Sequence, residues 1–193
     1  KRPGPVLLDI PMNVQKEFLK KKKINLKNKS FANKKNYADL IFKNLNKSKK
    51  PCILLGAGIR NSGLNEKDIV SLSKILKVPY LLTWSGFDLM DFNHSLNYNT
   101  IGVYGHRSSN FIVQNCDLLI TIGCRLDTRT TGSRVSTFAR NAKIISVDID
   151  KNELNKNRGL QISHKIMQDA CIFIKNILKS KKIYKANTNW INY

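Results

Sequence analysis

The chain has 193 residues and a formal net charge of +21, from 34 Lys and Arg against 13 Asp and Glu. Its hydrophobic content of 41% and charged content of 24% are globular values, which exclude a fibrous or wholly disordered chain. No apolar run approaches the ~18 residues that a membrane-spanning helix needs.

In chain order, Pro3-Gly4-Pro5-Val6-Leu7-Leu8-Asp9-Ile10 reads as a short strand that Pro11 stops. A Lys/Asn-rich stretch from Lys16 to Lys35 has few apolar residues to bury and reads as a linker. Tyr37, Leu40, Ile41, Phe42 and Leu45 recur at helical spacing, so a helix is predicted there, ending near Lys47-Ser48. Cys52–Leu55 is a buried strand closed by Gly56-Ala57-Gly58, and a loop covers 59–65. Ile69, Leu72, Ser73, Ile75 and Leu76 give the next helix, and Val78–Leu82 the next strand, ending at Thr83-Trp84-Ser85-Gly86. Residues 87–105, rich in Asn, Asp and Gly, form a long loop around a third strand near 99–103. A helix over 108–115 leads into Leu118-Leu119-Ile120-Thr121-Ile122, almost wholly apolar, as a strand covered on both faces must be. Strand 143–147, a short strand near 160–163 and helix 168–178 complete the set. Strands alternating with helices predict an α/β domain, a parallel sheet with helices on both faces.

The charge is unevenly placed. Of 26 Lys, 13 lie in residues 16–50 and four in residues 51–150; more gather at Lys179, Lys181, Lys182 and Lys185. Nucleic-acid readers interleave Arg and aromatics with Lys, whereas Lys20-Lys21-Lys22-Lys23 has only Phe18 nearby, so a solvated surface is expected and no nucleic-acid partner. Four cysteines (Cys52, Cys116, Cys124, Cys171) form no C-x-x-C pair and three sit in or beside apolar runs, which points to a reducing cytoplasm. The three histidines (His94, His106, His164) stand at no zinc-ligand spacing, so no metal site is expected. The chain begins at Lys1 without an apolar leader run or an initiator Met, so a piece of a longer protein with no signal peptide and no membrane segment is expected.

Candidate site residues lie at the carboxyl ends of the predicted strands, where a parallel sheet presents its ligand site. Gly56-Ala57-Gly58 follows a strand and precedes a helix, the context in which glycine amides approach a phosphate. Asn61 stands where a full G-x-G-x-x-G would have its third glycine, and no acidic residue follows the second strand, so a tight turn that binds nothing is the competing reading. Gly102-Val103-Tyr104-Gly105 is either a site of close backbone approach to a ligand or plain loop geometry. Arg125, Asp127 and Arg129 extend from the central strand; Arg suits phosphate or a ribose edge and Asp suits hydroxyls, against an Arg–Asp pair within the loop. Asp148 and Asp150 bracket the next strand end, to accept a ribose or ribityl hydroxyl or, for Asp150, to cap the turn 151–155. Ser108 and Ser109 beside His106 lack a third orienting group; Ser there reads as a helix N-cap, and His106 as a polar loop residue. No catalytic residue is expected.

Taken in order, these pieces resemble the large catalytic chain of acetolactate synthase and its relatives among the thiamine-diphosphate enzymes. Pro3 to Pro11 followed by Asn13-Val14-Gln15 resembles the end of that family's pyrimidine-binding domain. Gly56-Ala57-Gly58, Gly102 to Gly105, the run Asn110 to Asp117, Gly123-Cys124-Arg125-Leu126-Asp127 with Arg129 and Gly132, and Val147-Asp148-Ile149-Asp150 resemble landmarks of its central domain. The chain departs from the acetolactate synthases at Val103-Tyr104, where they carry Met-His, and at Asp127-Thr128-Arg129, where they carry Asp-Asp-Arg.

The resemblance implies a three-layer α/β/α Rossmann-like domain with a six-stranded parallel sheet. It divides the chain into the end of a pyrimidine-binding domain (1–15), a basic linker (16–35), the central domain (36–180) and a linker toward a diphosphate-binding domain (181–193), with Trp190 near that boundary. It implies FAD or ADP in the central domain, with cofactor contacts from Gly56, Gly58, Thr83, Trp84, Ile101, Gly102, Val103, Tyr104, Gly123, Cys124, Arg125, Leu126, Asp127, Asp148, Ile149, Asp169 and Ala170. Thiamine diphosphate, Mg2+, a 2-oxo acid substrate and a homo-oligomer (dimer or tetramer) are implied for the full-length enzyme. The family's diphosphate signature, Gly-Asp-Gly with Asn-Asn about twenty-five residues on, has no counterpart, since the chain contains neither Gly-Asp nor Asn-Asn. The fragment by itself is therefore expected to be non-catalytic. A stand-alone nucleotide-binding or scaffold module is the alternative.

Overall fold

A computed structural model describes residues 5–18, 33–156 and 158–191. In chain order it contains α1 (Met12–Gln15), α2 (Ala38–Leu45), β1 (Pro51–Leu55), α3 (Gly58–Asn61), α4 (Glu66–Leu76), β2 (Tyr80–Leu82), β3 (Asn97–Thr100), α5 (Arg107–Asn115) and β4 (Leu118–Ile122). There follow α6 (Thr128–Thr131), β5 (Lys143–Asp148), α7 (Lys151–Asn155), β6 (Ile162–Met167), α8 (Ala170–Lys179) and α9 (Thr188–Ile191). The strands form one six-stranded sheet in the order β3-β2-β1-β4-β5-β6. Every neighbouring pair is parallel. The chain winds outward from β1 through β2 to β3, then returns to start β4 on the other side of β1. The crevice between β1 and β4 is thus the topological switch point, where open α/β sheets bind ligands.

Alternation along the strands explains the three layers. Ile53 and Leu55 of β1, Leu118, Ile120 and Ile122 of β4, and Ile145 and Val147 of β5 face one core. That core is closed by α2 through Ile41, Phe42 and Leu45, by α4 through Ile69, Leu72 and Leu76, and by α8 through Phe173, Ile174 and Ile177. Cys52, Leu54, Leu119 and Ile144 face the opposite core with Ile112 and Val113 of α5. Each large aliphatic or aromatic side chain so buried contributes about 1.5–3 kcal/mol. α4 is started by a capping box, with Asn65 and Asp68 each accepting the other's backbone N–H.

Several boundaries differ from the sequence expectations. Residues 5–10 form no strand; Val6, Leu7 and Leu8 are exposed, and a strand needs a partner that this segment lacks among the described residues. Pro3 and Gly4, and most of the basic linker including Lys20 to Lys23, lie outside the described residues. β2 begins at Tyr80 and not Val78, because Pro79 has no N–H for the ladder, although its carbonyl accepts from Ile53 N at 3.0 Å. β3 lies at Asn97–Thr100, upstream of the predicted 99–103, since Gly102 turns the chain at φ +101°. β6 runs over Ile162–Met167, longer than 160–163; it is an edge strand with alternating half-exposed residues. α3 occupies part of the predicted loop, and α8 starts at Ala170 because Asp169, not Gln168, caps it. Ser108 is not an N-cap: α5 begins at Arg107 behind His106, and the Ser109 hydroxyl instead bonds the Tyr98 carbonyl, tying α5 to β3.

After α8 the chain passes the amino end of the central strand β1, from the core on one face of the sheet, where Tyr184 packs, to the core on the other, where Trp190 packs. Tyr184 N donates to Ile75 O at 3.3 Å, and buried Trp190 donates its Nε1–H to Pro51 O at 2.8 Å. No helix among the described residues is long and apolar enough to cross a membrane.

Candidate nucleotide-binding cleft

A cleft of about 320 Å³ opens at the carboxyl ends of β1, β2, β4 and β5 and at the β6–α8 junction. Its floor is made by two loops that touch at glycines. A Cβ on Gly56 would stand 2.2 Å from Gly123 O, and one on Gly58 would stand 2.8 Å from Gly123 Cα. The loops after β1 and β4 therefore cross only because these residues have no side chain. Their amides hold the crossing together: Gly56 N donates to Ile122 O at 3.0 Å and Gly58 N to Gly123 O at 3.1 Å. These two glycines serve close packing, and their N–H groups are not free for a phosphate.

The loop after β4 is fixed by side chains far away in sequence. Arg125 Nε pairs with Glu153 on α7 at 3.0 Å, where the sequence left a pair with Asp127 open. Asp127 instead caps α6, accepting Thr130 N at 3.2 Å. Leu126 takes a left-handed φ of +48°, and Arg158 donates to its carbonyl at 2.6 Å and to Thr128 Oγ1 at 2.9 Å. Cys124 is buried, and burial pushes its thiol well above its ordinary value, with the nearby Asp148 carboxylate adding to the shift; it is a packing residue with no reactive thiolate. Asp148 accepts Asp150 N at 2.8 Å, and Asp150 caps α7 through Asn152 N at 2.9 Å. Asp169 caps α8, accepting Cys171 N at 2.9 Å and Ile172 N at 3.3 Å.

Two aromatic rings stand in the loops next to the lining residues Thr83 and Ser85. Trp84, after β2, and Tyr104, after β3, are exposed and meet edge to face with centroids 5.5 Å apart. The loop that carries Tyr104 is locked in place. Asn110 Oδ1 accepts Gly102 N at 2.9 Å while its Nδ2 donates to Gly102 O at 3.0 Å, and Val103 N donates to Arg129 O at 3.0 Å. Gly102 is obligatory here: its φ is +101° and a Cβ would stand 2.2 Å from Arg129 O.

Of the residues singled out in the sequence, Gly58, Thr83, Gly123, Arg125 and Asp127 line the cleft, as do Asp148, Ile149, Asp169 and Ala170. Gly56, Trp84, Cys124, Leu126 and the stretch Ile101 to Tyr104 are not part of the lining; Ile101, Cys124 and Leu126 are buried in the core on one face of the sheet. The structure adds Ser62, Ser85, Thr130 and Gln168, together with Ala57, Asn61 and Val147 of the motifs already quoted. Gln168 carries no site signal in the sequence, where the pattern predicts a helix over 168–178. Ser85 and Thr130 lie next to residues already singled out.

Residues 38–177 match the family model described as the thiamine pyrophosphate enzyme, central domain. The chain belongs to this family. The chain is 34% identical over 187 residues to a probable acetolactate synthase large subunit of Methanococcus aeolicus, an alignment covering 92% of this chain and 30% of that protein. It is 32% identical over 201 residues to the acetolactate synthase large subunit of Corynebacterium glutamicum, covering 100% of this chain and 32% of that protein. It is 33% identical over 159 residues to the acetolactate synthase isozyme 1 large subunit of Escherichia coli, covering 80% and 27%. The chain thus spans about a third of the length of these relatives. Its parallel six-stranded sheet with flanking helices is the Rossmann-like architecture that the resemblance implied.

The family takes its name from thiamine pyrophosphate, and the residues of this central domain do not fit that group. The chain has neither half of the diphosphate signature, and among the described residues no three His, Cys, Asp or Glu side chains converge as metal ligands.

Proposed function

We propose that this chain is the central domain of an acetolactate-synthase-like enzyme acting on 2-oxo acids, and that its cleft binds FAD or ADP without itself carrying catalysis. The observation that supports this reading is the cleft at the β1–β4 switch point of a domain belonging to the thiamine pyrophosphate family. Asp148 and Asp169 line the cleft with carboxylates, which suit ribose or ribityl hydroxyls, and the exposed Trp84 and Tyr104 rings nearby in the chain suit a planar group. Thiamine diphosphate and Mg2+ would be held by other domains of a full-length enzyme, a cytoplasmic homo-oligomer; the free cysteines fit a reducing compartment.

Calorimetric titration of the chain with FAD and with ADP tests the cleft. Saturable one-site binding that weakens at least ten-fold in Asp148→Ala is the expected result. No binding of either ligand, or binding unchanged in the variant, removes the proposal. Pyruvate turnover by the chain supplied with thiamine diphosphate and Mg2+, above a blank, would show that the domain is catalytic after all.

A further inference from the structure

At the end of β6 the chain passes into the cleft wall through Gln168, which is 1% exposed. Its Nε2 donates to the carbonyls of Asn33 and Lys35 at 2.7 and 2.9 Å. Two carbonyl partners fix the orientation of the amide, because only its NH2 group can bond both. The other end is therefore an oxygen, an obligate acceptor, and Oε1 has no hydrogen-bond partner. Thr83, 6% exposed at the end of β2, lines the same cleft, and its Oγ1 also has no partner. A buried polar atom left unpaired is costly, and a ligand donor that reaches it through a small shift of the cleft wall removes that cost.

Most of the polar lining has the same character. Asp127, Asp148 and Asp169 bring three carboxylates, the Ser62 and Thr130 hydroxyls already donate to Ile59 O and Asp127 Oδ1 and so present lone pairs, and Asn61 and Ser85 are the groups of the lining that can also donate. Arg125 is the cation among the described residues of the lining, and Glu153 already holds its Nε at 3.0 Å. The amides of Gly56 and Gly58, which in a phosphate-binding loop would face the ligand, donate to Ile122 O and Gly123 O. The wall is thus rich in acceptors and negative charge. A phosphate offers only acceptors and negative charge in return, whereas a hydroxyl or an amine offers donors.

We infer that this cleft recognises its ligand through hydroxyl and amino donors, as of a nucleoside or a polyol, and that phosphate groups are not its anchor. The inference rests on the reading of the cleft as a nucleotide site and names the part of the nucleotide it reads.

Titration calorimetry of the full chain with adenosine, ADP and inorganic pyrophosphate is the test. Adenosine is expected to bind as tightly as ADP or tighter, and pyrophosphate to displace neither. Thr83→Val, nearly isosteric, is expected to weaken adenosine about ten-fold while its melting temperature holds or rises, because the hydroxyl it removes has no partner in the protein. ADP binding more than ten-fold tighter than adenosine, displacement by pyrophosphate, or a Thr83→Val chain that binds adenosine like the wild type overturns the inference and leaves the nucleotide site standing. Failure of adenosine, ADP and FAD alike to bind overturns both.

Discussion

Replacing Gly56 by Ala puts a methyl group into the crossing of the two loops that floor the cleft. The new Cβ would stand 2.2 Å from Gly123 O and 2.8 Å from both Gly123 C and Cys124 Cα. All three are backbone atoms, so no flexible side chain can swing aside. The loops would have to part by roughly 1 Å to restore ordinary contact near 3.4 Å. Overpacking of this kind costs about 1–3 kcal/mol. Parting the loops also strains the Gly56 N–Ile122 O and Gly58 N–Gly123 O hydrogen bonds, worth about 1 kcal/mol each. A loss of about 3–5 kcal/mol follows, or about 6–20 °C in the melting temperature of a domain this size. Gly63→Ala is the matched control. Nothing lies within 4 Å of its Cβ and its φ is +81°, so only the left-handed penalty of about 1–2 kcal/mol applies. Urea unfolding followed by tryptophan fluorescence measures both, since Trp190 is buried and bonded to Pro51 at the start of β1. A Gly56→Ala chain within about 0.5 kcal/mol of wild type would refute the crossing-loop account, because a rigid backbone contact cannot absorb an extra methyl group at so small a cost.

Asp169→Ala removes an acceptor that takes two α8 backbone amides, and a loss of about 1–2 kcal/mol in urea unfolding is expected; Asp169→Asn, which keeps the acceptor, should recover most of it. Stability should fall as the pH rises above 9. Burial raises the Cys52 and Cys124 thiols above their ordinary value of 9.0 and the Tyr80 phenol above 10.0, so their contribution is complete below those values and is lost as the unfolded chain deprotonates first. Each such group contributes a slope of about 1.4 kcal/mol per pH unit, and Cys124→Ala should flatten urea midpoints measured between about pH 8 and 11; an unchanged slope would show that Cys124 is not protected. Under native conditions an aromatic disulfide reagent should modify half-buried Cys171 first, with Cys52, Cys116 and Cys124 following only on unfolding, as read by peptide mass spectrometry; rapid labelling of Cys124 would contradict its burial.

What could be read from the sequence is what neighbouring residues decide among themselves. The apolar run Leu118–Ile122 had to be a strand covered on both faces, and Ile69, Leu72 and Leu76 had to form one face of a helix, because these patterns satisfy burial in only one local geometry. The cap at Asp150 was legible for the same reason, since its partner amide is two residues away. Tertiary structure decided the rest. β3 has a polar sequence and is a strand because β2 offers it a paired edge, whereas the more apolar segment Val6–Leu8 finds no such edge among the described residues. Arg125 pairs with Glu153, 28 residues on, and not with Asp127 two residues away, because α7 brings that carboxylate beside the loop. The glycines after β1 looked suited to a phosphate; their task is set by the β4 loop, which presses on them from nearly seventy residues downstream. Gln168 shows the same limit most plainly. Its chemistry in the cleft depends on which end of its amide is already spent, and that is settled by the carbonyls of Asn33 and Lys35, 135 and 133 residues away in the chain and adjacent only once the domain has folded.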